Sequence, residues 1–350
     1  MKTNPERQPA GESKLVHTGK SVLLFGILAA VSAFVLILAM FLAVSFGAKE
    51  LTLGTVWTAV FRYDASLTTH QIIHGLRLPR VLAAALVGAA FAVAGALMQG
   101  VTRNPLADPG ILGVNAGAML IVAVSFAFYP NLPYSALIVL AFSGAVLSTI
   151  VIFLLASNGP GMLTPMRLTV AGAVVAALLH SLTTGIAIYF DLSQDLAYWY
   201  AGGVAGVKWF QIKLLAPVIL VTIIWALALG RPVSLMALGD EVAANLGVKT
   251  KRIRLLAMAA ALLLAGTAVS AVGPIGFIGL VIPHIARKLV GTDYRFIIPI
   301  SALLGAVLLV IADLAARTID PPKELAIGVM VALVGVPFFL YLARSQRRGT

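Results

Sequence analysis

The stretch HGLRLPRVLAAALVGAAFAVAGALMQG, residues 74–100, decides how the chain is read. Its apolar run, taken with its flanks as 80–101, matches the ~20 residues an α-helix needs to cross ~30 Å of hydrocarbon. Two arginines, Arg77 and Arg80, stand three residues apart just before it, with Pro79 suited to a first helical turn. Their side of the membrane and their purpose depend on the rest of the chain.

The 350 residues are 60% hydrophobic and 11% charged, with a mean hydropathy of +1.01. A soluble domain of this size carries far more polar surface. Ten apolar runs are expected to span the membrane: 21–47, 80–101, 111–129, 134–156, 166–190, 211–230, 253–273, 276–290, 296–317 and 325–344. The eighth is short, and its Gly273-Pro274-Ile275-Gly276 entry blurs its start. A transmembrane barrel would instead show ~10-residue segments of alternating polarity. The first run is too long for the apolar region of a signal peptide and lacks a well-placed small-residue cleavage motif, so it reads as a membrane helix. The expected layout is a tail at 1–20, a ten-helix domain at 21–344 with a prominent loop at 231–252, and a tail at 345–350.

With ten spans both termini lie on one side. Placing them inside puts seventeen of the 25 lysines and arginines in inner segments. Arg77 and Arg80 then lie outside, against the rule. The net charge of +12 reports this topology, because the cations sit in short loops and tails without a basic stripe, so nucleic acid is not an expected partner. RLPRVLAAAL at the start of span two resembles RIRLLAMAAALL at span seven, the spacing of an inverted repeat. Gly88, Ala92 and Gly95 in span two, and Ser301 and Gly305 in span nine, form small-residue faces suited to close helix packing.

Catalytic chemistry is not expected. HTGKS at 17–21 lacks the first glycine of a phosphate-binding loop, Lys14 standing there, and no strand precedes it. With no cysteine and scattered histidines, no metal or cofactor is expected. His70 and His74 share a helical spacing but read as a surface pair. Intramembrane charge is sparse: Asp313 and Arg317 lie at i, i+4 near the outer end of span nine, where the acid can orient the arginine.

The inner loop RPVSLMALGDEVAANLGVKTKRIR, 231–254, is unlike the others. Within it GDEVAANLG reads as a two-turn helix, with Asp240 as cap, Glu241 at the positive dipole end and Gly247 as stop. Val242, Ala243 and Leu246 give it a small apolar face. So short a helix needs a partner to lie against.

These features converge on a transport subunit driven from another chain. The sequence resembles the FecCD-type permeases of binding-protein-dependent ABC importers for iron-siderophores, haem and cobalamin. The likeness runs from span two to the C-terminus through RLPR (77–80), NPLADPGILG (104–113), LTVAGA (168–173), ALGDEVAANLGV (237–248), GPIGFIGLVIPHIAR (273–287), LLVIADLAAR (308–317) and ELAIGVMVALVGVPFFLYL (324–342).

The resemblance implies a ten-helix, type II importer permease in a bacterial inner membrane. It would pair with a second permease, identical or homologous, two ATPase subunits and an external binding protein. It implies that Arg77, Arg80 and Arg317 dock acidic residues of the binding protein. It makes Asp240, Glu241, Val242, Ala243, Leu246 and Gly247 the coupling element. It also places a cytoplasmic gate at Thr164, Pro165 and Met166, where small hydroxyl residues are usual and Met166 would serve as a hydrophobic plug. Ferric siderophore is the first expected cargo, with haem or cobalamin as alternatives. An ion-coupled secondary transporter is the rival class, weakened by the absence of a convincing midplane ion site.

Overall fold

The structure is a computed structural model that describes residues 12–47, 51–157, 165–321 and 323–346. Among these residues the regular elements are helices, the arrangement that satisfies every backbone polar group within its own segment in hydrocarbon. In chain order they are α1 (Glu12–Ser45), α2 (Leu53–Phe61), α3 (Thr68–Ile72), α4 (Leu78–Thr102), α5 (Val114–Phe128), α6 (Tyr134–Ser157), α7 (Pro165–Tyr189), α8 (Ser193–Ala201), α9 (Trp209–Ala228), α10 (Gly230–Ala237), α11 (Asp240–Asn245), α12 (Thr250–Val272), α13 (Ile278–Val290), α14 (Tyr294–Thr318) and α15 (Ile327–Gln346).

Each expected span coincides with one of α1, α4, α5, α6, α7, α9, α12, α13, α14 and α15. Among the described residues seven helical segments are long and apolar enough to cross a membrane, and Val114–Phe128 and Ile327–Leu340 are shorter apolar helices. The short eighth span is α13, of 13 residues. It starts late because Gly273 (φ +77°) and Phe277 (φ +69°) hold the left-handed region, which a continuing helix cannot use.

The second span is longer than its apolar run. Helix begins at Thr68 and continues to Thr102, joined by a π-helical turn at Ile73–Arg77. Pro79 has no N–H to give the preceding turn, and Leu78 N–H bonds Ile73 O, five residues back. This turn sets the directions in which Arg77 and Arg80 leave the helix.

Helix α4 is the axis of the fold, with its residues from Ala90 to Val101 buried. A Cβ on Gly88 would stand 2.2 Å from the Gly305 carbonyl oxygen of α14, and one on Gly95 would stand 2.1 Å from that of Gly279 in α13. The small-residue faces of spans two and nine therefore meet backbone to backbone. Gly117 and Gly144 do the same for α5 and α6. The RIRLL helix, α12, also packs on α4, so both helices of the suspected repeat are central. Helices α1 and α7 are peripheral, presenting Leu23, Phe34, Val174 and Ile188 outward.

Candidate functional site

At the end of the bundle where α4 begins, Arg77, Arg80 and Arg317 converge, as their shared assignment to one side requires. They are held by the protein's own groups. Arg80 donates from Nε to Asp313 Oδ1 (2.9 Å) and Oδ2 (3.2 Å), and its Nη atoms form a two-pronged pair with Glu324 (2.8 and 3.0 Å). The Asp313 side chain is 1% exposed and the Glu324 side chain 44%. Arg317 Nε approaches Asp313 Oδ2 at 3.5 Å, so the expected i, i+4 pair forms, but Arg80 is the closer partner.

The other contacts explain why two of these arginines are buried. Arg77 Nη1 donates to the carbonyls of Val44 (2.6 Å) and Ser45 (2.8 Å), and Arg317 Nη2 donates to the carbonyl of Ala43. These are the last carbonyls of α1, which have no partners within their own helix. The last turn of α1 carries no basic residue. Arg77 and Arg317 supply the cations from other helices, where the helix dipole favours them. Glu324 is held below the usual carboxylate range, chiefly by its hydrogen bonds with Arg80. Of the cluster, Arg80 and Glu324 lie nearest the surface.

At the opposite end α11 stands between α10 and α12. Asp240 does not cap it: Gly239 (φ +128°) is the N-cap residue and makes no side-chain bond to the helix. The Asp240 carboxylate instead takes Arg254 Nη2 at 2.9 and 2.8 Å and Arg103 at 3.4 Å, because burial of the Arg254 side chain (8% exposed) demands a counter-charge. Gly247 does stop the helix. At φ +82° it lets its N–H reach Ala244 O (2.9 Å) while Val248 N–H reaches Ala243 O (2.9 Å), a Schellman closure. The expected apolar face is split: Ala243 is buried, whereas Val242 and Leu246 are exposed together with Leu238. Glu241 is exposed.

Of the gate residues, Thr164 lies outside the described residues, Pro165 opens α7, and Met166 is 73% exposed on its first turn. His70 and His74 are not a surface pair. His70 is buried and accepts from Asp64 N–H at 3.0 Å, while His74 Nε2 lies 3.0 Å from Ala59 O.

Residues 35–345 match the FecCD transport family. The chain belongs to that family. It is 50% identical over 314 residues to the iron(3+)-hydroxamate import system permease protein FhuB of Bacillus subtilis (strain 168), covering 90% of this chain and 82% of that protein. It is 42% identical over 315 residues to the iron-uptake system permease protein FeuB of the same organism, covering 90% and 94%. A solved structure described as an inward-facing ABC transporter of metal-chelate type superposes with a TM-score of 0.80 at 26% identity, over 92% of this chain and 99% of that one. As a FecCD family member the chain is a membrane permease subunit of transport systems.

Three partners in these clusters escaped the sequence reading. Glu324 opens a recognisable motif, and Arg103 and Arg254 are visible as inner cations, but only contact across the fold gives them roles. The carbonyls at the end of α1 leave no mark in sequence at all.

Proposed function

We propose that this chain is the membrane-spanning permease of an ATP-driven importer of ferric siderophores, with hydroxamate chelates as the first class of cargo. The hydroxamate permease at 50% identity supports the cargo. The mechanical reading rests on one observation, the way α11 is mounted. A two-turn helix would not hold its shape alone. Here its first residue is tied to the base of α12 through Asp240–Arg254, its end is closed at Gly247, and Val242 and Leu246 face outward. A separate ATPase that grips these two side chains pushes on α12, and α12 packs on the axial α4.

The orientation follows from the charge distribution: both termini and α11 are cytoplasmic, and the arginine cluster is external. An external binding protein bearing acidic residues docks over Arg80, with Arg77 and Arg317 beneath it. The chelate passes between this chain and a second permease, identical or homologous. Met166, exposed at the start of α7, faces the inner mouth as an apolar plug. Two ATPase subunits supply hydrolysis, and no bond of the cargo changes in this chain.

The test is uptake of radiolabelled cargo, radioiron in ferric hydroxamate or haem and radiocobalt in cobalamin, into vesicles holding the permease, its ATPase and its binding protein. ATP-dependent entry of a ferric hydroxamate, exceeding that of haem or cobalamin, is expected. ATP-independent entry driven by an ion gradient refutes the reading.

A further inference from the structure

A cavity of about 750 Å³ opens where α4 ends, walled by the last turn of α4, by α10 and by the turn between α13 and α14. Four arginines line it: Arg103, Arg231, Arg287 and Arg295. The one carboxylate among its described lining residues, Asp293, is already taken. Arg295 donates to it from Nε (3.1 and 2.9 Å) and Nη2 (2.6 Å), and Ser234 Oγ donates at 2.9 Å. Burial pushes the Asp293 carboxyl up, but these bonds pull it below its ordinary range. Arg103 shares Asp240 with the closer Arg254.

Among the described residues the remaining two arginines have no acid. Arg287 is half-buried and donates to neutral acceptors, Gln99 Oε1 (3.0 Å) and Tyr294 OH (3.1 Å). Gln99 is itself fixed, because its amide nitrogen donates to the carbonyls of Gly279 (3.0 Å) and Leu280 (3.3 Å). That choice turns its oxygen toward Arg287 and sets the guanidinium in place. Arg231 is exposed and has no ion pair among the described residues.

We propose that this cavity binds a phosphate group. Guanidinium forks match phosphate oxygens, and a phosphate presents more acceptor oxygens than the two of a carboxylate, so one ligand can serve Arg231 and Arg287 together. The space is far larger than an inserted acidic side chain needs, leaving room for whatever the phosphate carries. The walls are helix ends, which lie at the depth of lipid phosphates, where basic pockets between membrane helices take anionic headgroups. Occupancy joins α4, α10, α13 and α14 and braces α10 beside α11. Placing the site in the inner leaflet rests on the proposed orientation, whereas the binding itself does not.

The test uses the purified full-length chain, delipidated in detergent, with native mass spectrometry as the readout. Short-chain phosphatidylglycerol, phosphatidylcholine and inorganic phosphate are titrated separately and in competition. Saturable binding of phosphatidylglycerol in preference to phosphatidylcholine, or of inorganic phosphate, is expected. Loss of two charge-assisted contacts in Arg231→Gln/Arg287→Gln should weaken it about tenfold or more. Arg231→Gln alone should weaken it less, and Lys213→Gln, an exposed change on α9, not at all. Arg231→Gln, at a surface position, keeps the test decisive should the double variant fail to fold. Inorganic phosphate that displaces the lipid identifies a small phosphate compound as sufficient, and failure to displace it identifies the headgroup. The proposal is overturned if neither phosphate form binds saturably, or if binding ignores the arginine substitutions. It is equally overturned if phosphate binding is absent while the variants lose their ATPase, which would make the cavity a seat for a protein carboxylate. Both faces are open in detergent, so failure here leaves orientation to be judged separately by labelling.

Discussion

Replacing Asp313 by asparagine is the sharpest perturbation of the arginine cluster. The side chain keeps its shape but loses its charge and turns one acceptor into a donor facing a guanidinium. Asp313 is 1% exposed, accepts from Arg80 at 2.9 and 3.2 Å, and lies 3.5 Å from Arg317. Removing one partner of a buried pair costs about 3–5 kcal/mol, because the other charge is left uncompensated. Arg80 still holds Glu324 and Arg317 still caps α1, so the lower end, about 3 kcal/mol, is expected. Glu324→Gln breaks a pair whose acid is 44% exposed, and solvent screening limits that loss to about 1 kcal/mol or less. The double variant strips Arg80 of both acids and should lose more than the sum of the two. Thermal unfolding in detergent, followed by loss of the monodisperse chromatographic peak, ranks the variants. If Asp313→Asn unfolds with the wild type, or no less readily than Glu324→Gln, the buried pair is not what holds α4 to α14 at this end.

Other outcomes follow from the same geometry. Leu246→Asp places a charge on the outward face of α11 while leaving Ala243 and the Asp240–Arg254 tie alone; it should keep the permease folded but abolish ATPase co-purification, and normal co-purification removes α11 from coupling. Gly88→Leu needs Gly305 to retreat from a Cβ at 2.2 Å, a strain of about 1–3 kcal/mol or more, whereas Gly26→Ala, with nothing within 4 Å, should be neutral or stabilising in the same unfolding assay. Because the Glu324 pKa is depressed, its contribution is present above its unfolded value near 4.5 and is lost as pH falls through the folded value; the stability gap between wild type and Glu324→Gln should therefore close in acid, and a gap that widens contradicts the pairing. In a chain without native cysteine, Asp320→Cys should react with an impermeant maleimide from outside and Thr250→Cys only after permeabilisation; the reverse pattern overturns the proposed orientation.

The residues themselves determined where the helices lie along the ten apolar runs, seven of them among the described residues long and apolar enough to cross a membrane, since length and hydropathy are local properties that bilayer thickness converts into spans. They also determined the stop at Gly247, because only a residue tolerant of positive φ closes a helix in that way, and they marked the small-residue faces of spans two and nine as suited to close packing, while the structure alone paired Gly88 with Gly305. Tertiary structure alone decided where each charge goes. In sequence Asp240 is an ideal cap and Arg317 the natural partner of Asp313, yet Arg254 claims the first acid and Arg80 the second. Both outcomes have one cause. A guanidinium taken out of water must find acceptors within hydrogen-bond reach, and in a bundle those acceptors come from other helices, including carbonyls at the end of α1 that no side chain announces.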